Sequence, residues 1–328
     1  MTTSSTRRIF IGGLMGGAAG AVLPLQFSLA TWPSRPVRIV VPFPPGGGAD
    51  LVSRLLAPHL QRILGQSFFV ENHPGAAGRI GSGIVAKAEP DGQTVLVTTE
   101  SSIVIAPHTG IAMNYDPLKE LAPVSLLTRN TIVLVVHPSV PANTLQEFIA
   151  LARAKPGQVF YGSSGVGGPN HLAGEIFKRM TGLDIVHVPY QGTGAALQAV
   201  ISNQVSAMWG FMAGLIPHIR AGTLRAIASG GRERSPALPD VPTFAEAGVP
   251  GYVAVSWIGM LAPQGTDTAT IERLAAAVKT AMQEPNIKEV LLRDGSEIAA
   301  TTPAEFREVI VSDDAKYGKL ADLFTKPK

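Results

Sequence analysis

The sequence predicts an α/β protein of two lobes with mostly parallel sheets. Short runs of β-branched residues end in glycine-rich turns, and each turn precedes apolar residues at helical spacing. This order of strand, turn and helix recurs along the chain, which is typical of parallel strands covered by helices on both faces. A length of 328 residues corresponds to about two domains.

Composition and charge narrow the class of protein. Apolar residues make up 45% of the chain and charged residues 16%, and there is no cysteine. These values exclude a disordered tail protein, a coiled coil and a small disulfide scaffold. Two of the 27 basic residues lie in the first 30 residues, which leaves 25 basic against 24 acidic side chains in the rest. Net charge therefore gives no argument for a nucleic-acid partner.

The first 30 residues have the pattern of a signal peptide. The pair Arg7-Arg8 precedes an apolar, glycine-rich run over residues 9–25, which is shorter than a membrane span. Residues 28–30 form a small-x-small cleavage pattern. The paired arginines resemble a twin-arginine signal, and the general secretory route and a retained N-terminal anchor stay open as alternatives. We expect cleavage after about Ala30 and a periplasmic location.

The first series of units starts with a buried strand at Val37–Val41, a short β-branched run bounded by prolines. A glycine-rich turn and a helix that stops at Gly65 follow. Pro58 should kink this helix or mark its solvent side. The series continues with a strand at 68–70, a turn at 74–78, a helix at 79–88 and a strand at 94–98.

A second series starts at residues 131–136. Thr144 and Glu147 form a capping-box pattern before a helix that ends near Gly157. The remaining elements of this series are strands at 158–161, 185–190, 205–209 and 224–229 and helices at 170–180, 195–201 and 214–220. A proline-rich linker at 230–242, a strand from 253 and helices beginning near 267, 286 and 302 complete the chain. We predict a first lobe of residues 31–133 and 245–328 and a second lobe of residues 134–244.

The glycine-rich turns are candidate anion sites. Each lies before a helix N-terminus, where unpaired backbone N–H groups and the helix dipole attract negative charge. The first turn (residues 44–50) and the second turn (residues 162–168) fall in different lobes, and a smaller third turn (residues 74–78) belongs to the first lobe. The alternative is a tight turn that needs positive φ at one glycine. Asp50 suits a helix N-cap better than a ligand contact, because a carboxylate repels a bound anion.

Motifs for other chemistry are weak. Residues 81–86 match G-x-G-x-x-A but lie inside a predicted helix, which disfavours a dinucleotide site. There is no P-loop, and the glycines around Ser163 lack the spacing of a nucleophile elbow. The seven histidines form no pair at metal-ligand spacing, so neither metal nor cofactor is predicted. His171 could donate to a ligand beside the second turn, although a structural hydrogen bond is the simpler role.

Six segments occur together in the order of one known family. They are WPSRPVRIVVPF at 32–43, PGGGAD at 45–50, VENHPGAAG at 70–78, PDG at 90–92, HVPYQG at 187–192 and LPDVPTF at 238–244. On these segments, the chain resembles the extracytoplasmic solute receptors of tripartite tricarboxylate transporters, called the Bug family. The resemblance implies a two-lobed periplasmic binding protein of the type II-like, Venus-flytrap kind. Such a protein closes over a small carboxylate and hands it to a membrane permease.

The resemblance also implies where a ligand is held. The carboxylate would lie between the first and second turns, with help from the third turn, the residues after the third strand, and residues 190 and 191. With aromatic side chains that could shape the pocket, the candidate ligand-binding residues are Phe43, Pro44, Gly46, Gly47, Gly48, Asp50, Gly75, Ala76, Ala77, Thr98, Thr99, Ser101, Ser163, Ser164, Gly165, Gly167, His171, Tyr190, Gln191 and Trp209. The family often has a basic residue at position 191, an acid at 206 and Trp at 317. Gln191 therefore leaves the charge of the ligand's distal group open.

Competing interpretations stay open. An enzyme acting on an acid in the same cleft would need a base or nucleophile, and only His171 and Asp50 are available, neither in a supporting constellation. A sensory accessory of a membrane signalling protein would use the same ligand trap. For Trp209 and Phe211, core packing competes with a role in the pocket. We predict a monomeric receptor that feeds a permease and is not an enzyme.

Overall fold

A computed structural model describes residues 1–2, 32–293 and 295–322. The predicted signal peptide, apart from its first two residues, lies outside these ranges. Of the helices within them, none combines the length and apolar character that crossing a bilayer requires.

The described elements alternate between strands and helices much as expected. The first part of the chain forms β1 (Val37–Val41), α1 (Gly48–Leu64), β2 (Phe68–Asn72), α2 (Arg79–Ala86), β3 (Thr94–Thr99), α3 (Pro117–Glu120) and β4 (Leu121–Val136). The middle part forms α4 (Leu145–Ala154), β5 (Phe160–Ser163), α5 (Pro169–Thr181), β6 (Val186–Pro189), α6 (Thr193–Ile201), β7 (Ala207–Phe211), α7 (Met212–Arg220) and β8 (Arg225–Ser229). The last part forms β9 (Val255–Pro263), α8 (Thr268–Ala281), α9 (Pro285–Arg293), β10 (Ser296–Ile298) and α10 (Pro303–Gly318).

The strands join into one curled sheet whose two halves correspond to two lobes. The order is β2-β1-β3-β9-β4-β7-β5-β6, with β8 and β10 also paired to β4. β1, β2 and β3 are parallel, as are β5, β6 and β7, but β4 and β9 run antiparallel to their neighbours. The α/β, two-lobed prediction is confirmed, whereas the prediction of mostly parallel sheets is wrong. β4 and β9 lead the chain from one half of the sheet to the other and back, and so run in opposite directions.

β4 begins ten residues before the predicted strand at 131–136. Its first part pairs with β9 in the first lobe, and its last part pairs with β7 and β8 in the second. The sequence pattern did not predict this longer strand, because Pro123 lacks the backbone N–H that would donate to a neighbouring strand. The register shifts between Pro123 and Ser125, and this irregularity accommodates the proline.

Helices cover both faces of each half-sheet. In the first lobe, α1 and α8 pack on one face and α2 and α10 on the other. In the second lobe, α4 and α5 pack on one face and α6 and α7 on the other. Phe244, Val249, Tyr252 and Ala254 belong to the core of the second lobe, so the chain leaves that core only as β9 begins. The lobe boundaries near residues 134 and 244 stay a prediction. Pro58 lies on the solvent side of α1, one of its two expected roles.

Candidate functional site

Helices that follow parallel strands begin without a side-chain cap. β1, β2, β5, β6 and β7 lead to α1, α2, α5, α6 and α7, and none of these helices has a side-chain hydrogen bond at its N-cap. By contrast, α3, α4, α8 and α10 are capped by Asp116, Thr144, Asp267 and Thr302. The first N–H groups of a helix have no intrahelical acceptor. Open backbone donors are therefore concentrated outside the carboxyl ends of the strands, where ligands bind in open α/β sheets.

In the first turn, a carboxylate organises the backbone without capping the helix. Gly47 is the N-cap of α1, so the predicted N-cap role of Asp50 is wrong. The buried Asp50 carboxylate instead accepts hydrogen bonds at 3.0 Å from the Gly46 amide, Arg54 Nε and Asn72 Nδ2. Burial opposes ionisation of Asp50, but these hydrogen bonds outweigh it and lower its pKa. The glycines of the turn are exposed, so a solute can reach their backbone.

The third turn is held in a left-handed backbone conformation. Residues 75–78 have φ angles of 136°, 50°, 54° and 91°. Two of these four residues are alanines, for which such angles are costly. A methyl group on Gly78 would lie 3.1 Å from the Phe43 ring and 3.3 Å from Ser102 Cβ. The third turn thus adjoins both Phe43, the residue before the first turn, and the segment that follows β3.

Hydroxyl groups at the end of β3 form hydrogen bonds with one another. Thr98 Oγ1 lies 2.8 Å from Ser102 Oγ, and Thr99 Oγ1 lies 2.7 Å from Ser101 Oγ. Thr98, Ser101 and Ser102 are buried, whereas Thr99 is partly exposed. Of the three candidate residues in this segment, Thr99 is therefore the most accessible to a ligand.

Glu100, within the same segment, was missed by the sequence analysis. Its side chain is 1% exposed, and Oε2 accepts hydrogen bonds from Ser256 Oγ at 2.7 Å and from the Trp257 amide at 3.1 Å. Burial raises the pKa of Glu100 to about 7 despite these hydrogen bonds. The carboxyl group ties the candidate ligand segment to β9, a strand that links the lobes. An acid directly after a buried apolar strand was the sequence signal for it.

The second turn is closed by its own hydrogen bonds. Ser163 Oγ lies 3.1 Å from the Gly165 amide, and the Gly167 amide donates to His171 Nδ1 at 3.3 Å. The Gly168 amide donates to the Gly165 carbonyl. Ser164 Oγ donates to Asn170 Oδ1 at 3.2 Å. Much of this turn's hydrogen-bonding capacity is therefore already used.

Two histidines, which we call the histidine pair, stand behind the second turn. The ring centroids of His171 and His187 are 4.2 Å apart. His187 Nε2 lies 2.5 Å from Ser163 Oγ, so this ring acts on the turn through a hydroxyl group. Sequence reasoning selected His171 but missed His187, because their contact depends on the pairing of Tyr161 with His187 between β5 and β6.

The other second-lobe candidates divide into accessible and buried residues. Tyr190 is half-buried beside Gly162, and Gln191 is exposed. Trp209 is fully buried, with its ring centroid 5.2 Å from Tyr161 and 5.3 Å from Phe177. The structure therefore places Trp209 in the core and not on a surface that a ligand reaches.

The second turn also touches the first lobe. A methyl group on Gly167 would lie 3.7 Å from Thr109 Cγ2. Leu172, in the first turn of α5, packs in one cluster with Ile103 and Tyr317. The helix that follows the second turn is thus in contact with both lobes.

Two surface recesses lie away from the first and second turns. A recess of about 350 Å³ lies at the end of α1, and one of about 520 Å³ runs along α2 and includes Ala76 of the third turn. In the described ranges, the structure has no group of three or more side chains able to hold a metal ion.

Comparison with known proteins agrees with the resemblance seen in the sequence. A family model described as "Tripartite tricarboxylate transporter family receptor" matches residues 52–324. Protein BugT of Bordetella pertussis (strain Tohama I) is 36% identical over 309 residues, which cover 94% of each chain.

Two similar solved structures were determined with a small carboxylate ligand. Rpa4515 of R. palustris, solved with adipate, is 34% identical with a TM-score of 0.83, and the match covers 89% of this chain and 97% of that one. MatC (Rpa3494) from Rhodopseudomonas palustris, solved with bound malate, is 31% identical with a TM-score of 0.80, and the match covers 88% and 100%. The chain belongs to the family of tripartite tricarboxylate transporter receptors, which includes the Bug proteins.

Proposed function

We propose that this protein is an extracytoplasmic receptor that captures a small carboxylate-containing solute between its lobes. It delivers that solute to a membrane transporter of the tripartite tricarboxylate type. The observation that carries the proposal is the set of uncapped helix N-termini after parallel strands in both lobes. Backbone N–H groups at such ends are suited to carboxylate oxygens.

The solute class follows from these donors and from the relatives. Adipate and malate, the solutes of the two similar structures, both carry two carboxylates. Gln191 stands where the family often has a basic residue, so selection at the distal end depends on uncharged donors and on shape. The half-buried Tyr190 and Phe43 are the candidate aromatic walls of that region.

Binding and closure are linked in this proposal. Amides of the first turn and donors of the second lobe can contact one carboxylate together only when the cleft is shut, so the ligand favours the closed form by its differential affinity. A micromolar affinity corresponds to about 8 kcal/mol. Five or six charge-assisted hydrogen bonds of about 1.5 to 3 kcal/mol each would supply this after ordering costs.

The contact of Ser163 with His187 does not favour an enzyme. Ser163 is fully buried, and its hydroxyl also lies within hydrogen-bond distance of Gly165. A nucleophile must reach its substrate, and a base needs a third group to orient it. A structural role of this contact in shaping the second turn fits these surroundings better.

Location and partners complete the proposal. The signal-peptide pattern of the first 30 residues supports export to the periplasm, and the family supports a permease as the membrane partner. We propose that the receptor acts as a monomer, because one chain contains both lobes of the candidate site.

Isothermal titration calorimetry tests the proposal. We expect purified protein to bind at least one of adipate, malate and citrate with micromolar affinity, since these acids offer the carboxylates that the turns would hold. Hexane-1,6-diamine, which matches adipate in chain length but carries positive charges, is the control and should give no binding heat. Absence of binding by every acid, or equal binding of the diamine, would refute the carboxylate receptor.

A further inference from the structure

The histidine pair controls two amides of the second turn. His171 accepts the Gly167 N–H at Nδ1, over 3.3 Å. His187 is 2.5 Å from Ser163 Oγ, which in turn is 3.1 Å from the Gly165 amide. In this arrangement, the Gly167 amide is directed at an imidazole nitrogen and not at a ligand.

Protonation would reverse that arrangement. An imidazolium ring has no free lone pair, so it cannot accept a backbone N–H. A proton on His171 Nδ1 would release the Gly167 amide and add a positive charge beside the turn. Both changes favour a carboxylate at the same place. Histidine is the side chain whose ordinary titration falls near physiological pH.

We propose that the histidine pair takes up one proton when a carboxylate binds at the second turn and so supplies the positive charge of that half of the site. This inference rests on the proposed function and deepens it. It gives the second lobe a positive charge that favours anions, which the uncharged Gln191 does not supply. One proton is expected and not two, since imidazolium rings with centroids 4.2 Å apart would repel each other.

The other groups around the pair are compatible with this role. From α5, Glu175 and Lys178 form an ion pair at 3.2 Å, and the Tyr161 hydroxyl of β5 donates to Glu175 at 2.7 Å. Burial and the Glu175 charge raise the pKa of Tyr161, so this phenol stays protonated at neutral pH. From the first lobe, the uncharged Thr109 lies near Gly167. The Tyr161 ring, whose centroid is 5.1 Å from that of His187, thus links the pair to the Glu175 carboxylate, a negative group suited to stabilising an imidazolium.

Calorimetry with adipate and malate in buffers of different ionisation enthalpy measures the protons taken up on binding. We expect uptake approaching one proton per ligand between pH 7 and pH 8, and affinity that falls up to about tenfold per pH unit as the pH rises there. His171→Asn keeps an acceptor near the Nδ1 position but cannot gain a proton, so it should bind without uptake.

His137→Gln is the matched control. His137 Nδ1 also accepts a backbone N–H, from Ser139 at 3.1 Å. It follows the end of β4 that pairs with the start of β7, so it lies at the opposite end of the strands from the second turn. The control should retain the wild-type proton uptake. If His171→Asn does not fold, a ¹⁵N spectrum of wild-type imidazoles shows directly whether His171 Nδ1 gains a proton when adipate is added.

The outcomes separate this inference from the proposed function. Adipate or malate binding whose enthalpy does not depend on the buffer overturns the inference and leaves the receptor intact. Proton uptake that persists in His171→Asn also overturns it, because the proton then goes elsewhere. Failure of every acid to bind overturns both.

Discussion

The first and second turns share a sequence pattern but use their amides differently. Both follow a parallel strand, both contain several glycines, and both lead into a helix whose N-cap is a glycine in extended conformation, Gly47 or Gly168. In the first turn, the Gly46 amide is held by the buried Asp50 carboxylate, and the turn is exposed. In the second turn, the amides of Gly165, Gly167 and Gly168 all have partners within the second lobe.

This difference separates two ways of preparing an anion site. The first turn is preorganised: Asp50 is itself neutralised by Arg54 at 3.0 Å, and no side chain caps the start of α1. In the second turn, the amides already donate to a hydroxyl group, an imidazole nitrogen and a carbonyl oxygen. These hydrogen bonds must break before the amides can bind a ligand. Preorganised donors need no rearrangement when a ligand binds. We therefore expect the first turn to contribute most of the affinity and the second turn to make that affinity depend on pH.

A substitution that places an aspartate side chain in the first turn should have the largest effect on ligand affinity. Gly47 has φ −78° and ψ 167°, which any residue adopts, and a Cβ there would lie 3.7 Å from the nearest atom, the Pro44 carbonyl oxygen. In Gly47→Asp, the new side chain would cap α1, occupy its open amides and repel an incoming anion. We expect a loss of carboxylate affinity of more than about a hundredfold, since two charge-assisted hydrogen bonds are removed.

In contrast to its ligand affinity, the free energy of unfolding of Gly47→Asp should rise. A capping carboxylate near a helix N-terminus adds about 0.5 kcal/mol to the free energy of unfolding. Gly47→Ala, which introduces a methyl group but no acceptor, serves as the control for steric effects and should bind within a few-fold of the wild type. Titration calorimetry and urea unfolding of the two variants check the result. Equal affinities in the two variants would show that the amides of α1 do not hold the ligand.

Glu100 should give the next largest effect, on stability as a function of pH. Its folded-state pKa of about 7 lies above the usual 4.5, so the folded protein holds a proton that the unfolded chain has lost between these values. Stability from this group is therefore complete below about pH 4.5 and falls as the pH rises through 7. The difference in pKa corresponds to about 3 kcal/mol in the free energy of unfolding.

Glu100→Gln removes this titration but keeps an acceptor for Ser256 and Trp257. Relative to the wild type, the variant should gain stability from about pH 5 to pH 7 and level off above pH 7, where both the folded and the unfolded wild-type protein have lost the proton. Urea unfolding at each pH measures the gain. Parallel stability curves for the two proteins would mean that the carboxyl group does not ionise in this range. The result sharpens the comparison, because a buried carboxyl group of the first lobe would then make stability depend on pH without any contribution from the second turn.

Local sequence signals predicted helices and strands correctly where the feature depends on residues close together in the chain. Thr144 caps α4, and Thr302 caps α10 with the complete capping box that its Glu305 indicated. β1 coincides with the predicted strand. Such features depend on residues within one turn of each other, so their chemistry is visible in the sequence.

Features that depend on distant residues could not be predicted. The N-cap prediction for Asp50 is wrong in part because Asn72 on β2, one of its three partners, becomes a neighbour only in the folded sheet. His187 reaches Ser163 through strand pairing across 24 positions, and Glu100 meets Ser256 across 156. The glycine pattern located both turns, but it could not tell which amides remain open. That property depends on these long-range contacts.

The third turn should show the smallest effect and isolates the role of backbone strain. Ala77 has φ 54° and ψ 37°, a left-handed conformation that costs an alanine about 1 kcal/mol or more. Ala77→Gly relieves this cost, and the greater freedom of glycine in the unfolded chain returns part of it. We expect the free energy of unfolding to rise by no more than about 1 kcal/mol.

The same substitution in an ordinary helix should have the opposite sign. Ala276 is exposed within α8, where a change to glycine costs about 1 kcal/mol. Urea unfolding compares Ala77→Gly with Ala276→Gly, and a loss of stability in both would show that the left-handed turn carries no strain. Because glycine can keep the native angles at position 77, adipate affinity should stay within about threefold of the wild type. A larger fall in affinity would mean that the alanine methyl group, and not only the backbone of the third turn, helps to position the ligand.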